Sequence, residues 1–233
     1  MTVEVFDCTQ GSPEWHEVRR GVVTASELHC VLAKGKDKKP DGSTSKTRRA
    51  YMLKLVGEIL SGEVAEGYSN GHMERGKAME AELRARYALQ NLDVDPMPVG
   101  FIRNTLKGGL VIGCSPDSLI GTNGGLEIKS ALPHIQVERL LADELPPEHK
   151  PQVQGSMWVA EREWWDFVSG WPRLPLLVKR IYRDDSYIVL IERETRAFVE
   201  EMNEVEKRIR AMEAGPTTMA DLRESVTILG AAE

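Results

Sequence analysis

Asp117, Glu127 and Lys129 are the residues whose types and spacing best suit chemistry. They lie within residues 113–130, Gly-Cys-Ser-Pro-Asp-Ser-Leu-Ile-Gly-Thr-Asn-Gly-Gly-Leu-Glu-Ile-Lys-Ser. Short apolar segments at 110–112 and 119–120 precede Gly121-Thr-Asn-Gly-Gly125, and 126–128 follows it. Glycine and asparagine supply the positive φ of a tight reversal, so the stretch predicts a β-hairpin. Side chains alternate across a strand, which sets Glu127 and Lys129 on one face and Leu126 and Ile128 on the other. The turn folds Asp117 back against them. Two carboxylates and a lysine at one hairpin end suit a divalent cation with oxygen ligands, the Ile128 carbonyl offering a third oxygen. Such a cation can activate water and neutralise charge on a phosphoryl group. Spacing alone equally allows a surface aspartate beside a Glu–Lys salt bridge.

Other elements must position these groups. A helix expected at 72–90 carries Met73, Gly76, Glu80, Leu83 and Tyr87 at spacings of 3, 4, 3 and 4, a single stripe. Its apolar members face inward and carry Glu80 with them, where a carboxylate needs a metal or an ionic partner. Arg84, one turn on, is the available partner. A second helix, 151–160, opens at Pro151 and sets Gln152, Gly155, Ser156 and Val159 on one face. Gly155 there serves either close substrate approach or tight packing. Near the N-terminus, Ser12 and Pro13 predict a capped helix at 13–20, and Thr24 or Ser26 caps another at 27–34. Arg19 and Ser26 together suit a phosphate, or are simply a surface arginine and a capping serine.

The remaining pattern predicts strands at 3–6, 99–103, 163–170, 176–182 and 187–191, and helices at 50–60, 134–141 and 194–212. Trp164 and Trp165 read as core. Residues 34–49 hold seven bases (Lys34, Lys36, Lys38, Lys39, Lys46, Arg48, Arg49) against Asp37 and Asp41, a local +5 in a chain of net charge −6. By composition this is a solvated loop or an arm that steers phosphate. The overall balance excludes a global field drawing nucleic acid, so any such site must be local. At 233 residues the chain can bury a real core, and one domain spanning 1–233 is expected, with a core of about 11–200. Three cysteines without metal-pair spacing fit free thiols in a reducing compartment. With no long apolar run and no leader pattern, a cytosolic protein with no membrane contact is expected.

Ser115-Pro-Asp117 followed by Glu127-Ile-Lys129 resembles the PD-(D/E)xK nuclease motif. Four ordered segments resemble the lambda exonuclease (YqaJ-like viral recombinase) family: residues 15–27, 76–80, the hairpin, and 152–158. The resemblance implies an α/β (α+β) restriction-endonuclease-like core, a central mixed sheet flanked by helices. It also implies a Mg²⁺-dependent (or Mn²⁺-dependent) 5′→3′ exonuclease with two ions per site. Such an enzyme degrades one strand of linear duplex DNA and leaves a 3′ single strand for recombination. Asp117, Glu127 and the Ile128 carbonyl would then bind metal, Lys129 would be catalytic, and Glu80 and Gln152 would support metal and water. Arg19, Ser26 and Ser115 would hold the 5′-terminal phosphate, and Met73 would wedge the terminal base pair. His149 stands where the resemblance leads one to expect a tyrosine. The family implies a homotrimeric ring around DNA and a single-strand annealing partner. An endonuclease or structure-specific resolvase is the alternative chemistry, and a non-catalytic DNA-end or annealase-binding module the alternative class.

Overall fold

A computed structural model describes residues 2–34, 45–64 and 71–212. The basic stretch 35–44 and the tail from 213 onward lie outside the described residues. The chain opens with β1 (Thr2–Phe6) and α1 (Pro13–Arg19). Ser12 caps α1 by accepting from the Trp15 amide. Then come β2 (Val23–Thr24), a 3₁₀ turn (Ala25–Glu27), α2 (Leu28–Val31), α3 (Lys46–Ser61) and α4 (Gly71–Gln90). Strands β3 (Pro96–Met97), β4 (Phe101–Thr105), β5 (Val111–Cys114), β6 (Ser118–Ile120) and β7 (Gly124–Ser130) follow. The chain continues through α5 (Pro133–Ala142), a 3₁₀ turn (Pro147–His149), α6 (Lys150–Ala160), β8 (Trp164–Gly170), β9 (Leu177–Tyr182) and α7 (Asp185–Met212).

The strands form two mixed sheets, ordered β1-β4-β5-β2 and β3-β6-β7-β8-β9. The expected mixed-sheet, helix-flanked class is therefore present, divided between two sheets. The segment Ser115-Pro116-Asp117 is the crossing from β5 in the first sheet to β6 in the second. Because β2 runs parallel to β5, with Val23 opposite Ile112 and Thr24 opposite Gly113, the two strands end side by side. That register lays Ala25-Ser26 beside Cys114-Ser115. Gln10 fastens the crossing from outside, its Nε2 donating to the carbonyls of Pro116 (2.9 Å) and Val99 (3.0 Å).

The hairpin pairs β6 with β7 antiparallel, Ser118 opposite Leu126 and Ile120 opposite Gly124. In the reversal only Gly121 takes a positive φ, of 51°. Gly124 and Gly125 are needed for a different reason. A Cβ on Gly124 would lie 2.1 Å from the Trp164 ring, and one on Gly125 would lie 2.3 Å from the Trp165 ring. The glycines thus let the tandem tryptophans of the parallel neighbour β8 cross β7. Arg162 closes the turn, donating to the carbonyls of Gly121 (2.8 Å) and Gly124 (2.7 Å).

Three expectations need correction. In the run 34–49, expected as a solvated loop, Lys46–Arg49 form the first turn of α3, and Arg48 is buried with its Nη1 2.5 Å from Glu201 Oε2. Residues 187–191 are not a strand but the first turns of α7. The run Tyr-Ile-Val-Leu-Ile is rich in strand formers, yet its buried members continue helically as Ile188, Ile191, Thr195, Phe198 and Met202. Asp184 starts the helix, its Oδ1 accepting from the Tyr187 amide at 3.0 Å. Local preference loses to a long apolar stripe packed on the core. The second helix, expected at 27–34, is only Leu28–Val31, preceded by the 3₁₀ turn and without a side-chain cap from Thr24.

Candidate active site

At the crossing, Asp117 continues the ladder of the second sheet with its own side chain. Its amide donates to the Leu126 carbonyl at 3.2 Å, and its Oδ2 accepts from the Ile128 amide at 2.5 Å. Within a strand, a residue's N–H and C=O project to the same edge. β6 pairs with β7 only as far as Leu126, so the Ile128 carbonyl shares the open edge on which Asp117 sits. The Leu126 and Ile128 side chains point to the opposite face and join Leu83, Tyr87 and Val168 in a buried cluster.

Glu127 is buried, its side chain 4% exposed. Its Oε1 accepts from Gln152 Nε2 at 2.6 Å and lies 2.6 Å from Lys129 Nζ. Asp117 and Glu127 each keep a second oxygen that none of these bonds uses. Burial, then the charges of Glu127 and Glu80, push the Asp117 carboxyl well above the usual carboxylate range. The Ile128 amide and Lys129 oppose this rise. Burial also works against the Lys129 ammonium, but Glu127, Asp117 and Glu80 outweigh it and raise its pKa. In the absence of a metal ion, the surrounding carboxylates thus favour the charged ammonium. Crowded carboxylates with unused oxygens and a backbone carbonyl are an all-oxygen donor set, and they fit a hard divalent cation.

Glu80 reaches this cluster through Arg84. The Arg84 guanidinium donates to Glu80 Oε1 and, at 3.1 Å, to the Asp117 carbonyl. The arginine partner and proximity to the acidic pair therefore both hold. Glu80 is half-buried and does not line the central cavity, whereas Leu83 and Tyr87 on its stripe are fully buried. Met73 belongs to α4, but its side chain lies outside the described ones, as does the wedge role.

A cavity of about 180 Å³ joins Asp117, Glu127, Lys129 and Gln152 to Arg19, Ser26 and Ser115. The last three come together through the β2–β5 register and through α6. A Cβ on Gly155 would lie 2.2 Å from Leu28 Cδ1 and 3.3 Å from Ala25 Cβ. Gly155 thus serves close packing, and that packing draws the Ser26 turn toward Gln152 and Ser156. Ser26 Oγ lies 3.2 Å from Thr24 Oγ1. Ser115 Oγ accepts from Trp15 Nε1 at 2.9 Å and from Arg19 Nη1 at 3.3 Å. The Arg19 guanidinium stacks 3.8 Å above the Trp15 ring. Burial lowers its pKa, with Tyr51, Glu27 and Glu58 opposing from a distance. No carboxylate pairs with Arg19 within 4.0 Å among the described residues.

Sequence reasoning missed Gln10 and Trp15 as lining residues, while Ser156, expected on the Gln152 face, does line the cavity. Trp15 had a signal, since it stands four positions before Arg19 on one helix and so shares its face. Gln10 had none, because its partner Pro116 is 106 residues away. His149 sits outside the cavity wall. Its Nε2 is 2.9 Å from Arg139 Nη2 and its ring lies 5.0 Å from that of Phe167.

Two mixed sheets meeting at an acidic hairpin, with a lysine beside the acids, define a PD-(D/E)xK nuclease fold. LHK-Exo in complex with dAMP matches with a TM-score of 0.77 and 33% identity, over 87% of this chain and 98% of that one. The alkaline exonuclease LHK-Exo from Laribacter hongkongensis matches with a TM-score of 0.75 and 31% identity, over the same shares. A phage related exonuclease from Haemophilus somnus 129PT shares the fold, with a TM-score of 0.57 and 14% identity over 83% of this chain and 99% of that one. No curated protein is significantly similar in sequence. The YqaJ-like viral recombinase domain model matches residues 14–163, and the chain belongs to that family of phage-type exonucleases.

Proposed function

We propose that the protein is a Mg²⁺-dependent 5′→3′ exonuclease, with Mn²⁺ able to substitute. It would act on linear duplex DNA from a 5′-phosphorylated end and leave a 3′ single strand for recombination. The observation that carries this reading is the single cavity in which the acidic set meets a half-buried guanidinium with no carboxylate partner among the described residues. A half-buried cation of that kind invites an anion, and its place beside the acids supports the capture of a terminal phosphate there.

Asp117, Glu127 and the Ile128 carbonyl would hold one metal ion and Glu80 would serve a second. When bound, Mg²⁺ would activate water near neutral pH and neutralise charge on the phosphoryl group. Gln152 fixes the rotamer of Glu127 by occupying Oε1. Lys129 shares that oxygen and would orient the attacking water. Arg19, Ser26 and Ser115 would grip the terminal phosphate, with Trp15 holding both Arg19 and Ser115 in position. LHK-Exo has been captured with dAMP, a nucleotide carrying the kind of phosphate this pocket would accept. Assembly as a ring-shaped homotrimer, partnership with a single-strand annealing protein, and work in a host cytosol complete the reading. No helix among the described residues is long and apolar enough to cross a membrane.

The test is end-labelled digestion with Mg²⁺, comparing a 5′-phosphate duplex, a 5′-hydroxyl duplex and a closed circle. Rapid loss of the phosphorylated duplex, slower loss of the hydroxyl form and survival of the circle are expected. Cutting of the circle would replace the exonuclease reading with an endonuclease.

A further inference from the structure

A few residues from the acidic chamber, one turn gathers donors of a different chemistry. Glu27, His29 and Cys30 span the junction between the 3₁₀ turn Ala25–Glu27 and α2, with their ligating atoms within 4.8 Å of one another. Cys30 Sγ lies 3.4 Å from Glu27 Oε2 and 3.3 Å from His29 Nε2. The imidazole is already oriented. Its Nδ1 is 3.0 Å from the Ser26 carbonyl, which can only accept, so the proton sits on Nδ1 and Nε2 offers a lone pair. A carbonyl that fixes the far nitrogen in this way is the usual support of a metal-binding histidine. Burial also favours entry from solvent, because Cys30 is buried, Glu27 half-buried and His29 exposed.

We propose that Glu27, His29 and Cys30 form a separate binding site for a soft divalent cation of the Zn²⁺ type. Thiolate and imidazole select such an ion over Mg²⁺, which the oxygen-only chamber prefers. Water fills the fourth position of the tetrahedron. Binding releases the thiol proton to solvent, and the resulting thiolate and the Glu27 carboxylate balance the ion's two positive charges. Without an ion, burial and then Glu27 push the thiol pKa up to about 11, so affinity should rise with pH. Lys54 faces the thiol from α3 and opposes a cation there, but its amine also lies 3.9 Å from Glu58 Oε1.

The test is a Co²⁺ titration of the full chain in excess Mg²⁺, read by the thiolate-to-cobalt charge-transfer band in the near ultraviolet. One Co²⁺ per chain, displaced by Zn²⁺, is expected. Cys30→Ser should abolish the band and Cys114→Ser should preserve it. His29→Gln, at an exposed position that leaves the core untouched, should weaken binding at least about tenfold. No band, a band that follows Cys114, or equal binding in the His29 variant overturns the proposal.

Discussion

Replacing Arg19 by alanine tests the link between geometry and strand polarity most directly. Arg19 Nη1 already donates to Ser115 Oγ, so the rest of the planar fork remains for a phosphate. One or two hydrogen bonds to a charged group are worth about 1.5–3 kcal/mol each, and some of that is recovered by water in the variant. A net loss of about 2–4 kcal/mol corresponds to about a 30- to 1000-fold fall in kcat/KM for 5′-phosphorylated duplex. Arg19→Lys keeps the charge without the fork or the stack on Trp15 and should fall between alanine and wild type. The 5′-hydroxyl duplex, which cannot make these bonds, should change less than about threefold. Single-turnover digestion of the two duplexes, labelled at the 3′ end, measures both. An equal fall on both ends would assign Arg19 to general DNA binding and refute the phosphate pocket. No fall on either would remove it from the site altogether.

Asp117→Asn should lower activity by at least about 10³-fold, since several kcal/mol of charge stabilisation depend on the metal it would hold. Its carboxyl is pushed well above the usual range, so ionisation of Asp117 costs the folded state stability at neutral pH. The amide variant should therefore melt at or above the wild-type temperature without metal, and Mg²⁺ should raise the melting temperature of the wild type alone. Gly125→Ala drives a methyl group into the buried Trp165 ring and should cost about 1–3 kcal/mol in denaturant unfolding, with no gain from metal. His149, whose pKa burial lowers from 6.5 to about 4, stays neutral in the fold while the unfolded ring protonates. Stability should thus be fully present above pH 6.5 and fall toward pH 4. The loss is at most about 3 kcal/mol and about 1–2 after solvent screening, and His149→Phe should flatten that part of the profile.

The hairpin and its two faces were legible because alternation and turn residues are local signals. So was the Glu80 stripe, whose buried continuation through Leu83 and Tyr87 is helical periodicity made visible. The reason for Gly124 and Gly125 was not, because it lies in Trp164 and Trp165, forty residues later and on another strand. Likewise, Ser26 and Ser115 meet through the parallel β2–β5 register, which no local pattern encodes. Residues 187–191 misled because strand-forming side chains also fill a buried helical stripe.

The hydrogen bond from the Ile128 amide to Asp117 has a practical consequence. A backbone N–H whose nitrogen lies 2.5 Å from a carboxylate oxygen is sensitive to how that carboxylate shares its charge. In a ¹⁵N-labelled sample, the Ile128 amide resonance should move downfield when Asp117 ionises and shift again when a cation draws on the same group. Occupancy of the acidic cluster could then be followed by magnetic resonance with Ca²⁺ or Mg²⁺ alone, with no nucleic acid in the tube.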